Sequence, residues 1–129
     1  MGAILVGTVI GLAFGVLYIL IPSAVYHVRA RKILRQAEEA EKQGDLQNTI
    51  THYKKLILAV AANEKEVPMW LARLEAVYQK QGSQPKTDEV MGAHKTIVDI
   101  WKSKMSGSEK KRLHKIALDG MKAKLEALP

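Results

Sequence analysis

The alternation of apolar and polar positions changes character near residue 27. From Met1 to Tyr26 no side chain is charged, and Ala3 to Ile21 contains nothing more polar than Thr8 and Tyr18. At about 1.5 Å of rise per residue, roughly 20 helical residues match a hydrocarbon core about 30 Å thick. The stretch therefore predicts a transmembrane helix. A core helix that is apolar on every side would need more surrounding protein than 129 residues supply.

Beyond this stretch the apolar positions recur at helical spacing. Pro22 predicts a kink rather than a stop, and Ser23 to Gln43 continues as helix with a thin stripe of Val25, Val28, Ile33, Ala37 and Ala40. Gly44 ends that helix and Asp45 caps the next. Leu46, Ile50, Tyr53, Ile57 and Val60 step by four, three, four and three, a pattern that extends to about Ala62. Asn63 to Val67 reads as a linker, with Pro68 in the first turn of a third helix. Trp70, Leu71, Leu74, Val77 and Tyr78 form its apolar face, and Gly82 closes it.

Ser83 to Thr87 is the longest break. A fourth helix starts at Thr87 or Asp88 and carries Val90, Met91, His94, Ile97, Val98 and Trp101 on one side, weakened early by Gly92. Ser106 and Glu109 have the spacing of a capping box. Behind them Leu113, Ile116, Ala117, Met121, Leu125 and Leu128 mark a last apolar stripe. No segment alternates as a strand does, so the expected fold is all-α. Its parts are a membrane anchor (1–26), a basic juxtamembrane helix (27–43), a helical domain (44–105) and a capping helix (106–129).

Charge gives the anchor a direction. Arg29, Arg31, Lys32 and Arg35 crowd just after the span, and no charge precedes it. The positive-inside rule places the C-terminal part on the cytoplasmic side, or the matrix or stromal side, with the N-terminus across the membrane. The same four cations suit anionic lipid headgroups. Lacking a basic n-region, the segment is not expected to be a cleaved signal, and Val6 stands where a myristoylation motif needs Ser or Thr. Ala3, Gly7, Gly11 and Gly15 recur every four residues along one helix face. Small residues in that register let another helix backbone approach closely, so a membrane partner is expected there, either a second copy or a different protein.

Two stretches share a pattern. Gln36 to Asp45 and Leu74 to Ser83 each end in Lys-Gln-Gly plus a polar residue, with the two glycines 38 positions apart. That spacing suits stacked helix pairs. The residues resemble the tetratricopeptide repeat over roughly 30–105. Ala37, Gly44, Asp45, Ile50 and Tyr53 match in the first unit, although Thr49 stands where a small alanine is usual. Leu74, Tyr78 and Gly82 match in the second, with Trp70 one place from the usual tryptophan and Ser83 to Thr87 as an insertion. The resemblance implies a TPR-like antiparallel helical-hairpin domain whose partner groove is lined by Met69, Ala72, Ala76 and Gln79. A soluble protein segment or an amphipathic helix fits such small and apolar residues, since the pattern that clamps a peptide carboxylate is missing. The alternative is that Met69 and Ala72 simply contact the first helix.

Catalytic signals are absent from the sequence. It holds no phosphate-binding loop, no Gly-x-Ser-x-Gly elbow and no His-Glu-x-x-His. The four histidines are scattered, and His94, within an apolar stripe, reads as a satisfied core residue. No catalytic residue, metal ligand or cofactor is expected. There are no cysteines, so disulfides are excluded. The +7 charge lies wholly after the anchor, and the basic C-terminal segment is a solvated face or a surface for an acidic partner or the membrane. Without a recognisable module, nucleic acid is not an expected partner.

These features lead to the expectation of a non-enzymatic, single-pass accessory or assembly subunit of a membrane complex. The alternative is a membrane-anchored receptor for amphipathic or targeting peptides, because anchor, basic linker and small repeat domain are together similar to the mitochondrial outer-membrane presequence receptor.

Overall fold

The computed structural model describes residues 28–129. The uncharged segment 1–26, including Ala3, Gly7, Gly11 and Gly15, lies outside the described residues. Among those described the protein is all-α, with five helices and no strand. They are α1 (28–42), α2 (Leu46–Ala59), α3 (Glu66–Lys80), α4 (Asp88–Lys102) and α5 (Gly107–Glu126). None of them is long and apolar enough to cross a membrane.

The shared Lys-Gln-Gly motif has one structural meaning. Gly44 and Gly82 have φ of 74° and 75°, a left-handed conformation that costs a residue with a Cβ roughly 1–2 kcal/mol. At the first turn Asp45 N donates to Ala40 O at 2.9 Å and Gly44 N to Glu41 O at 3.1 Å. At the second, Ser83 N donates to Tyr78 O at 3.0 Å and Gly82 N to Gln79 O at 2.9 Å. Both are Schellman motifs, and both satisfy carbonyls that the helix end leaves unpaired. The next helix then starts as expected after the first turn: Asp45 accepts from Asn48 N at 3.2 Å.

Elsewhere local hydrogen bonding shifts the boundaries. α2 stops at Ala59, and Val60 to Ala62 turn out of it while Val60 and Ala61 stay buried. Asn63 Oδ1 then accepts from both Lys65 N and Glu66 N at 3.0 Å, so α3 begins at Glu66, ahead of Pro68. Pro68 still falls within the first turn, where its missing N–H has no intrahelical role. Ser106 caps α5 by accepting from Glu109 N at 3.3 Å.

α2 and α3 pack as one antiparallel pair, α4 and α5 as another, and α2 also packs against α5. The core contains Ala37 of α1, then Ile50, Tyr53, Leu56 and Ile57 of α2 with Leu71, Leu74, Val77 and Tyr78 of α3. Val90, Ile97, Met121 and Leu125 extend it into the second pair. Thr49, the oversized residue at a position expected to be small, is fully buried because its hydroxyl donates to Asp45 O at 2.7 Å.

Three residues assigned to apolar stripes are instead exposed: Val28 (67%), Trp101 (41%) and Ile116 (59%). Val28 lies at the first described turn of α1, at the level where α2 has already ended. Trp101 occupies the final turn of α4, where no further turn covers it. Ile116 sits about 140° around α5 from Met121, and Leu118 takes the inward position instead.

Candidate protein-interaction surface

Met69, Ala72, Ala76 and Gln79 step by three, four and three, which places them along one side of α3. That side lies opposite the buried row of Trp70, Leu71, Leu74, Val77 and Tyr78. All four are exposed, Met69 by 48%, so none serves as a core contact with α1. What they form is an uncovered stripe of small and flexible side chains.

A cluster linking three helices holds this stripe in place. Tyr53 of α2 is fully buried, and its ring stacks on Trp70 of α3 at 6.3 Å between centroids. Its hydroxyl donates to Glu41 Oε2 of α1 at 3.2 Å. Burial pushes the Tyr53 phenol above its ordinary value of 10.0; Glu41 adds to this and Arg73 opposes it. The Arg73 guanidinium lies over the Trp70 ring at 5.8 Å, and the neighbouring Tyr53 oxygen holds it above its ordinary value. Lys80 completes the link to α1 through Glu41 at 3.2 Å. Glu41 of α1 is thereby tied to both α2 and α3.

Arg29, Arg31, Lys32 and Arg35 occupy the first turns of α1, all exposed. None of the four is in a salt bridge among the described residues. They form a solvated basic band where the chain joins its uncharged segment.

Two histidines serve structural contacts. His94, only 4% exposed, places Nδ1 2.6 Å from Ala61 O. A carbonyl can only accept, so Nδ1 carries the proton and α4 is fastened to the α2–α3 connector. His114 accepts at Nδ1 from Trp101 Nε1 at 2.9 Å, the rings meeting edge-on at 5.5 Å. No group of three His, Asp or Glu side chains among the described residues could hold a metal ion. A concavity of about 600 Å³ between α1 and α2 is lined by charged and amide groups, among them Arg35, Glu39, Asn48 and His52. It shares no residue with the α3 stripe.

Sequence reasoning missed the pairing of Trp101 with His114, since it placed Trp101 on a core face. The available signal was position: Trp101 precedes Lys102 and the Ser103 break, where a helix runs out of neighbours. Comparison with protein-family models, curated proteins and solved structures gives no match to this chain.

Proposed function

We propose that this chain is a non-enzymatic, single-pass accessory or assembly subunit of a membrane protein complex. The observation that carries the reading is the change near residue 27, where a run of 26 uncharged residues in the sequence gives way to four exposed cations on α1. The anchor holds the helical domain on the cytoplasmic, matrix or stromal side. Its small-residue face, Ala3, Gly7, Gly11 and Gly15, packs against a membrane helix, and the α3 stripe holds a soluble segment of the same partner. Tethering raises the local concentration of that segment, so modest contacts at the stripe suffice.

The domain is best understood as TPR-like, with α1–α2 and α3–α4 as two units and α5 as a cap. Support comes from the matching Schellman turns 38 residues apart, each ending the first helix of its unit. It departs from a repeat stack in that α4 packs against α5 rather than against α3, and α5 also reaches α2. The non-catalytic reading is supported by the use of His94 and His114 as packing contacts.

Purification in mild detergent tests the subunit reading. A stoichiometric companion is expected; a chain that emerges alone and monomeric rejects it. Replacing Gly7, Gly11 and Gly15 with Ile is expected to release that companion, and unchanged assembly removes the small-residue face from the proposal. A receptor for amphipathic peptides is the second reading, favoured by the uncovered state of Met69, Ala72, Ala76 and Gln79. It requires weak, exchangeable binding of free peptides in place of a fixed companion.

A further inference from the structure

The two ends of the bundle differ in charge. At one end lie residue 28 of α1, the α2–α3 connector (60–65) and the α4–α5 connector (103–106). The ion pair between Lys102 and Glu64 joins those two connectors. The other end holds the Gly44 and Gly82 turns and residues 127–129, joined by Lys80 with Glu41 and by the Tyr78 hydroxyl on Pro129 O. Division of each helix at its midpoint assigns residues 28–35, 53–73 and 95–116 to the first end.

That half carries 15 Lys and Arg against 4 Asp and Glu, an excess of +11. The other half carries 5 against 9, a balance of −4, and the two together account for the chain's +7. Exposed large apolar side chains follow the same division. Val28, Met69, Trp101, Met105 and Ile116 all belong to the positive half. Trp101 and Met105 flank Lys102 and Lys104 at the α4–α5 connector, with Lys111 and Arg112 on the next turns.

We propose that the positive end, centred on Trp101, Lys104 and Met105, rests on the anionic leaflet from which the chain emerges. The inference rests on the anchor reading above. Three features select a lipid surface as the occupant. Residue 28, the first described, lies at this end, so an anchored chain holds it beside the headgroups. The cations complement acidic lipids, whose attraction extends about one Debye length, some 8–10 Å in ordinary salt. A tryptophan and a methionine flanking two lysines suit the boundary layer, where an apolar body inserts while the charged tips stay wet. The negative end is repelled, so the bundle docks in one orientation. The α3 stripe then begins near the membrane at Met69 and rises away from it towards Gln79.

The chain has no cysteine, which permits site-specific spin labels on the full-length protein. Met105→Cys and, at the opposite end, Gln81→Cys are labelled and reconstituted into vesicles with and without phosphatidylserine. Flotation after an alkaline wash reports the anchor; collision with oxygen against a water-soluble nickel chelate reports bilayer contact. The label at 105 is expected to favour oxygen in acidic vesicles only, and to lose that preference in 1 M salt or with Lys104→Glu and Lys111→Glu. The label at 81 is expected to remain aqueous throughout. A chain released by the wash overturns the anchor and the docking with it. A chain that floats while position 105 remains as aqueous as 81 overturns the docking alone. So does shielding of position 105 that is independent of acidic lipid or appears only with a co-purified protein, which assigns the surface to a protein partner.

Discussion

In the α2–α3 pair nearly every turn buries a large side chain: Ile50, Tyr53, Leu56 and Ile57 face Trp70, Leu71, Leu74, Val77 and Tyr78. In the α4–α5 pair the 20 residues of α5 bury only Met121 and Leu125, and α4 adds Val90, His94, Ile97 and Val98. Each buried large aliphatic or aromatic side chain contributes roughly 1.5–3 kcal/mol, so the first pair is the platform and the second is a lighter attachment. Polar contacts compensate in part. His94 on Ala61 O, Lys102 with Glu64, and Lys54 Nζ on Leu128 O at 3.3 Å tie the second pair to the first. The difference teaches where the α3 stripe gets its rigidity: it sits on the platform, while the attachment supplies 7 of the 15 cations of the positive end.

The largest test of this contrast is Leu74→Ala in the platform. It is expected to destabilise the protein by about 2–5 kcal/mol in chemical denaturation, because Leu74 is fully enclosed. Native-state hydrogen exchange should meanwhile show α5 amides opening at lower free energy than those of α2 and α3. Equal protection across all four helices would break the comparison.

His94→Ala removes the bond to Ala61 O and leaves that carbonyl without its partner, an expected loss of about 1–3 kcal/mol. Its informative readout is again exchange: α4 and α5 should lose protection before α2 does. Gly82→Ala and Gly44→Ala force a Cβ into left-handed backbone and should each cost about 1–2 kcal/mol, read as a shift in denaturation midpoint. No atom crowds either position, so the expected effect is conformational strain rather than a clash.

Alkaline pH probes the platform by a different route. Burial raises the phenols of both Tyr53 and Tyr78 above 10.0, so the folded state keeps those protons longer than the unfolded chain does. Their contribution is fully present below about pH 10 and is lost as pH rises through the higher folded values. Lys54, lowered by burial and partly restored by Glu126, acts in the opposite sense. Stability should therefore decline above pH 10, with a shallower slope in Tyr53→Phe and Tyr78→Phe proteins. The smallest expected effect belongs to Ile116→Ser. At 59% exposure it should change stability by less than about 0.5 kcal/mol, which separates it from Met121 one and a half turns away.

Much of the fold was legible because local rules set it. Glycine at the helix ends, Asp45 and Ser106 as caps, and the stepping of Ile50, Tyr53 and Ile57 all act within a few residues. Those features encode helix number and order directly. The four α3 residues could also be grouped on one side from spacing alone, since a helix has a fixed period. Whether that side was covered by α1 or left open could not be read in the same way. It depended on contacts such as Tyr53 with Glu41 and Trp70, which meet only after three helices have packed.

The opening segment, the cations after it and the net charge are properties of the sequence itself, as is the expectation of an all-α chain. Tertiary structure decided how those charges and apolar residues are distributed in space. It turned Trp101 and Ile116 outward, buried Thr49, and gathered the positive charge at the end where residue 28 lies. Burial is a matter of which neighbours arrive, and the neighbours of α5 come from α2 and α4, far along the chain. Periodicity marks a side of a helix, but only packing determines whether anything covers it.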